Sequence, residues 1–243
     1  MSQAVSLSVV VPVKDEAGNV GPLAREIAEA LSSERGYELI FVDDGSSDGT
    51  ASELLALRPA LPVRVLVHAR NLGQSRALRT GISAARGELI VTLDGDGQND
   101  PADIPKLLAA FRAEAADPTF AMVAGERVKR RDTWRKRAAS RLANGLRRKL
   151  LGDNASDTGC GLKVFKRDAF LALPYFDHMH RYLITLMMRE GYGLRFVPVG
   201  HRPRRSGRSK YGVIDRALVG VRDLMGVMWL KSRFRGPAGT KEL

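Results

Sequence analysis

Asp94, Asp96 and Asp100 stand in "LDGDGQNDP", directly after the apolar run "ELIVTL". Carboxylates packed this closely repel one another unless a cation sits among them. Asp94, Asp96 and Gln98 offer hard oxygen ligands at alternating positions, which suits Mg²⁺ or Mn²⁺ bridging a diphosphate. Two more polar clusters follow apolar runs: "PVKDE" near residue 12 and "DDGSSDG" from Asp43. In open parallel sheets, ligands bind beyond the carboxyl ends of the strands, and neighbouring strands bring those ends side by side. Taken singly, "DDGSSDG" reads equally well as a solvated loop with a helix cap. Three such clusters on one edge favour a composite site. The chain has no GxxxxGK[ST] and no GxGxxG after its first strand, so neither a P-loop nor a dinucleotide fingerprint is present. Cys160 is the only cysteine and the four histidines show no HExxH spacing. An intrachain disulfide and a Cys-rich zinc site are therefore excluded, and a reducing compartment is expected.

The elements that must position these residues alternate between short β-rich runs and helical patterns, which predicts a parallel sheet with crossover helices. Leu7 to Val13 reads as a buried strand. Val20, Leu23, Ile27 and Leu31 recur at helical spacing, with Pro22 near the start. Leu39 to Val42 is the second strand, and Thr50-x-x-Glu53 reads as a capping box opening the next helix. Strands at Val63 to Val67 and Leu89 to Leu93 flank a helix from Ser75 to Ala85, whose Ala77 and Gly81 share a face that permits close packing. A helix over Ile104 to Phe111 and a strand over Phe120 to Gly125 follow. From Trp134 a basic amphipathic helix is expected, apolar at Ala139, Leu142, Ala143, Leu146 and Leu150. The remainder reads as a strand near Gly161 to Phe165, a helix near Tyr182 to Glu190, a strand over Leu194 to Val199 and a helix over Val213 to Leu230.

The 243 residues, 44% hydrophobic, suffice for one sizeable core. The net charge of +12 is unevenly placed. Eleven Lys or Arg fall between Glu126 and Leu151, and six between Arg195 and Lys210 with no acid among them. Such a balance points to nucleic acid, anionic membrane or phosphorylated substrates. Aromatics are only 6% of the chain and none is interleaved with the basic residues as a stacking platform, which argues against nucleic acid. The amphipathic segment from Arg127 to Leu151 instead supplies cations for a phosphate head and apolar surface for a lipid tail, with Trp134 placed for a membrane interface. The N-terminal run is broken at Pro12 and Lys14, so it reads as a strand and not as a signal peptide. No stretch is apolar enough to span a bilayer.

The stretches "SVVVPVKDEAGNV", "FVDDGSSDGT", "NLGQSRALRTGISAARGELIVTLDGDGQNDP", "DTGCGLKVFKRDAF", "HRYLITLMMREGYG" and "HRPRRSGRSKYG", in this order, resemble the successive motifs of family-2 GT-A glycosyltransferases. More narrowly they resemble the polyprenyl-phosphate branch that includes dolichol-phosphate mannose synthase. The resemblance implies an α/β GT-A fold, a mostly parallel Rossmann-like sheet flanked by helices, over residues 1 to 212. Beyond the stretch that carries the resemblance, residues 213 to 243 read as a C-terminal amphipathic element that either lies at the membrane interface or packs on the core. The resemblance implies that Pro12, Val13 and Glu16 hold the nucleoside and that Asp44 contacts base or ribose. Asp94 would lie near the donor sugar, and Asp96 with Gln98 would bind the metal. Arg202 and Lys210, with Arg205 and Ser209 less firmly placed, would close over the donor diphosphate. Arg127, Arg137, Ser140 and Arg141 would cradle the acceptor phosphate.

The implied reaction is inverting transfer of a sugar from a UDP- or GDP-linked donor to a polyprenyl phosphate, with Asp94, Asp96 and Arg202 as the catalytic groups and Mg²⁺ or Mn²⁺ as cofactor. A phosphate monoester is mostly ionised at pH 7, so a general base is not required. Two alternatives are a family-2 enzyme acting on a glycan or glycolipid hydroxyl, which would need a carboxylate base, and a basic membrane- or nucleic-acid-binding protein with an inactive nucleotide fold. The joint presence of Asp94, Asp96, Gln98 and Arg202 argues against the latter. Many members of the resembled branch carry C-terminal transmembrane helices, whereas Val213 to Leu230 is interrupted by Asp215, Arg216, Arg222 and Asp223. A peripheral or monotopic enzyme on the cytoplasmic face of the plasma membrane is expected. Gly97 stands where that branch commonly has Leu, which removes no ligand.

Overall fold

A computed structural model describes residues 4–128, 150–152, 157–203 and 213–236, with the side chains of 213–219 excluded. The sequence pattern resolves into strands β1 (Leu7–Val13), β2 (Tyr37–Asp43), β3 (Val63–Val67), β4 (Leu89–Thr92), β5 (Phe120–Arg127), β6 (Lys163–Lys166) and β7 (Gly193–Val199). The helices are α1 (Val20–Ala30), α2 (Thr50–Ala56), α3 (Gln74–Ala84), α4 (Ile104–Ala113), α5 (Arg167–Ala172), α6 (Leu183–Arg189) and α7 (Val213–Ser232). Short 3₁₀ turns occupy Pro101–Asp103 and Met179–Tyr182.

The seven strands form one sheet in the order β3-β2-β1-β4-β6-β5-β7. Each of the first four is parallel to its neighbour, with Leu7 opposite both Tyr37 and Leu89. β6 then enters antiparallel between β4 and β5, and β7 closes the edge parallel to β5. Strands β1, β2, β4 and β5 are buried on both faces over most of their length and read as continuous apolar runs, whereas the edge strands β3 and β7 are partly exposed. Alternate residues of β1 divide between two cores. Val9, Val11 and Val13 pack with Leu23 and Ile27 of α1, Leu54 of α2 and Leu107 of α4. Val10 packs on the other face with Ala77 and Ile82 of α3, Phe170 of α5 and Leu186 of α6.

Gly81 decides how closely α3 approaches: a Cβ there would meet Val10 Cγ1 at 2.5 Å and Val42 Cγ2 at 2.9 Å. The expected close packing of the Ala77–Gly81 face is thus present. The expected capping box is not. Gly49 caps α2, and the Thr50 hydroxyl bonds Asp48 and the Glu16 N–H. Glu53 instead reaches across to α1, accepting from the N–H groups of Gly18 at 2.6 Å and Gly21 at 2.9 Å. The start of α1 had no side-chain acceptor of its own, so a carboxylate from α2 satisfies donors that a helix start leaves open.

α7 packs on the second core through Leu224, Val227 and Leu230, and Val227 is fully buried. Its opposite face presents Val221, Met225, Met228 and Trp229 to solvent. Among the described residues no helix is long and apolar enough to cross a membrane. The expected basic helix from Trp134 lies, apart from Leu150 and Leu151, outside the described residues.

Candidate functional site

The parallel strands β1, β2 and β4 bring their carboxyl ends to one edge, and the three polar clusters meet there. The loops after β1 and β2 are laced together. The Asp15 N–H donates to Ser46 Oγ at 2.8 Å, and Asp15 Oδ1 accepts from the Ser47 N–H at 2.8 Å. Pro12 and Val13 end β1, and Gly95 of the acidic loop lies against them with no room for a side chain. Glu16 accepts a hydrogen bond from Asn19 Nδ2 at 2.6 Å. Asp44 is buried and holds the loop after β3: Oδ1 meets His68 Nδ1 at 2.7 Å and the Leu72 N–H at 2.8 Å, and Oδ2 accepts the Gly73 N–H at 2.7 Å.

The turn after β4 carries the metal-type residues. Its backbone is fixed by Asn99 Oδ1, which accepts the Asp94 N–H at 3.0 Å, and by Asp96 Oδ1, which accepts the Gln98 N–H at 3.1 Å. Gly97 sits at φ 73°, a conformation that a leucine would adopt only under strain. The chain after β7 is stitched onto the same turn. Asn99 bridges to His201, and the Arg202 N–H donates to the Gln98 carbonyl at 2.9 Å. The Arg202 guanidinium donates to Glu26 Oε2 at 2.5 Å and to Asp100 Oδ1 at 2.6 Å. Asp100 also caps the following 3₁₀ turn through the Ala102 N–H.

Among the described residues no three His, Cys, Asp or Glu side chains converge as a metal cage. A two-residue oxygen set fits Mg²⁺ or Mn²⁺ of the substrate-bridging kind, which takes one or two protein ligands and completes its shell with phosphate and water. Asp96 and Gln98, two residues apart on this turn, are the oxygen donors that such a set would use.

Asp94, at the start of that turn, lines a cavity of about 270 Å³. Gln74 Nε2 donates to its Oδ1 at 2.9 Å. Burial, and then the neighbouring charge of Asp96, push its carboxyl above the usual range, against the opposing charges of Lys163 and Arg127. Gly161 forms the adjacent wall, where any Cβ would collide with the Asp94 carboxylate. Lys163 of β6 is buried with its amine on the Cys160 carbonyl, and burial lowers its pKa. His180 and Arg181 complete the polar lining, opposite Phe165 and Phe170. Arg127 stands nearby in a two-pronged pair with buried Asp157, Nε to Oδ2 at 2.5 Å and Nη2 to Oδ1 at 2.7 Å.

The structure therefore gathers Pro12, Val13, Glu16, Asp44, Asp94, Asp96, Gln98 and Arg202 at one sheet edge. Arg137, Ser140, Arg141, Arg205, Ser209 and Lys210 lie outside the described residues. Sequence reasoning assigned no role to Gln74, Lys163, His180 or Arg181. One signal was available for Lys163: a lysine in the apolar pattern "GLKVF" has to be buried or to line a cavity.

The sequence profile of "Glycosyl transferase family 2" matches residues 8–173. The chain belongs to this family. Family-2 relatives include the "Dodecaprenyl-phosphate galacturonate synthase" of Rhizobium johnstonii, 36% identical over 233 residues, covering 93% of this chain and 68% of that protein. Another is the "Undecaprenyl-phosphate 4-deoxy-4-formamido-L-arabinose transferase" of Edwardsiella ictaluri, 37% identical over 211 residues, covering 86% of this chain and 63% of that one. The chain thus spans about two thirds of the length of these relatives. Among solved structures, mannosyl-3-phosphoglycerate synthase from Rubrobacter xylanophilus superposes with TM-score 0.70 at 19% identity, over 95% of this chain and 76% of that one. Glucosyl-3-phosphoglycerate synthase from Mycobacterium tuberculosis, in complex with Mn²⁺, UDP-glucose and phosphoglyceric acid, gives TM-score 0.66 at 18% identity, over 93% of this chain and 79% of that one. The fold shared with these structures is GT-A.

Proposed function

We propose that this family-2 chain transfers a sugar, with inversion, from a nucleoside diphosphate to a polyprenyl phosphate. The observation that carries the reading is the turn from Asp94 to Gln98, which faces a sugar-sized cavity on one side and is held against Arg202 on the other. The two relatives described above are named as acting on dodecaprenyl and undecaprenyl phosphate, which supports the acceptor. In this reading Pro12, Val13 and Glu16 border the nucleoside, and Asp44 positions the loop beside it.

Asp96 and Gln98 would hold Mg²⁺ or Mn²⁺, which when bound supplies positive charge to the leaving diphosphate. Arg202 adds a second cation by exchanging Glu26 or Asp100 for a phosphate oxygen. The acceptor phosphate is already ionised near neutral pH, so the work left to the protein is orientation and charge stabilisation, not proton removal. Arg127 beside the cavity, with Arg137, Ser140 and Arg141, forms the proposed acceptor-phosphate set, and Lys210 joins Arg202 at the donor diphosphate. The exposed apolar stripe of α7, flanked by exposed Arg222 and Arg233, supports peripheral attachment to the inner leaflet of an anionic membrane.

The test is incubation with UDP- and GDP-sugars, Mn²⁺ and undecaprenyl phosphate, followed by detection of the lipid-linked monosaccharide. Asp96→Ala is expected to lower transfer by on the order of 10²–10³-fold, the scale of losing one preorganised electrostatic contact, and to abolish the response to Mn²⁺. A variant that keeps both activity and metal response overturns the assignment of Asp96.

A further inference from the structure

Two Lys or Arg side chains line the Asp94 cavity, Lys163 and Arg181, and Lys163 spends its amine on the Cys160 carbonyl. Arg127 is neutralised by Asp157. Arg181 is left over: it lines the cavity, half-buried, and its guanidinium makes no ion pair or hydrogen bond among the described residues. A planar guanidinium in that position presents a fork of donors matched to a two-oxygen anion.

His180 adds a directed donor beside it. The His180 backbone N–H donates to Ser75 Oγ at 3.3 Å, and the Ser75 hydroxyl lies 2.7 Å from His180 Nδ1. Ser75 Oγ accepts the backbone N–H and has its own proton available for Nδ1; with that donation the ring is the Nε2–H tautomer, its protonated nitrogen on the side away from Ser75. Phe165 and Phe170 supply an apolar wall, which suits the C–H face of a sugar ring.

We propose that this cavity holds the transferred sugar and that Arg181 selects a donor whose sugar carries a carboxylate, a uronosyl nucleotide. The inference rests on the glycosyltransferase reading above and adds the class of sugar. A neutral hexose leaves the guanidinium uncompensated inside the site, whereas a uronate pairs with it through two charge-assisted hydrogen bonds. The same fork could meet the acceptor phosphate instead, and the experiment separates the two sources.

The full chain is assayed with Mn²⁺ and undecaprenyl phosphate on matched donors: UDP-glucose against UDP-glucuronate, UDP-galactose against UDP-galacturonate, and GDP-mannose against GDP-mannuronate. In at least one pair the uronate is expected to exceed its neutral partner in kcat/KM by about tenfold or more, the scale of a hydrogen-bonded charge. Arg181→Gln is expected to remove that ratio, Arg181→Lys to restore part of it, and KM for undecaprenyl phosphate to stay unchanged in both. The ratio within a pair is unaffected by a general loss of active protein. Equal or better turnover of the neutral sugars by the wild type overturns the inference and leaves the glycosyltransferase reading intact. So does a rise in acceptor KM in Arg181→Gln with the donor ratio preserved, which would assign the guanidinium to the acceptor phosphate. Absence of turnover and of binding with all six donors overturns the underlying reading itself.

Discussion

His180 is kept neutral by its surroundings. Burial, and then the nearby positive charges of Arg181, Lys163 and His178, push its pKa down to about 3, against about 6.5 in an unfolded chain. The fold therefore has its full stability from this residue above pH 6.5. As the pH falls from 6.5 toward 3, the unfolded chain takes up a proton that the folded chain refuses, and stability declines by up to about 1.4 kcal/mol per pH unit. His180→Asn keeps a side-chain acceptor near Ser75 and removes the titrating ring. Urea unfolding followed across that window is expected to show a flatter slope for the variant; an unchanged slope assigns the acid sensitivity to other groups. Asp44 shows the same economy at the next strand: one carboxylate fixes His68 and two backbone N–H groups, so the loop bordering the nucleoside edge depends on a single side chain.

At the scale of elements, the first four strands and their helices were legible because each carries its own signal: an apolar run, a turn cluster, then a period near 3.6. The acidic turn was legible for a related reason, since its candidate ligands lie within a few consecutive residues. The place of β6 was not. A run of four residues shows where a strand is and says nothing of its partner or direction, and β6 pairs Phe165 with both Ile90 and Met122. α5 escaped detection because six residues give less than two turns of period. The polar lining of the cavity escaped for the corresponding reason: Lys163 comes from β6, while His180 and Arg181 come from a 3₁₀ turn beside α3, and only the tertiary fold joins them. Gly81, on the other hand, was readable and has a measurable consequence. Gly81→Ala places a methyl group against Val10 and Val42, and overpacking of this kind costs about 1–3 kcal/mol. The denaturation midpoint is expected to fall accordingly, and a midpoint at or above the wild type would show that α3 can shift outward without loss.

For the molecule as a whole, the proposed peripheral attachment draws on the charge of +12 and on the exposed stripe of α7. Cations near an anionic leaflet contribute roughly 1 kcal/mol each and are screened by salt. Flotation with phosphatidylglycerol vesicles is expected to carry the protein upward at low salt, less so at high salt. Met225→Glu combined with Trp229→Glu is expected to abolish most of it while the buried face of α7, centred on Val227, is untouched. Equal flotation of the variant would remove the helix from membrane attachment. The insertion of β6 between β4 and β5 also has a kinetic meaning. Strands β1 to β4 join through local crossovers, whereas β6 closes long loops on both sides and carries the high contact order that slows folding. The acidic edge can thus assemble before the wall bearing Gly161 and Lys163 arrives, and a chain caught between these stages would present its carboxylates without the cavity behind Asp94.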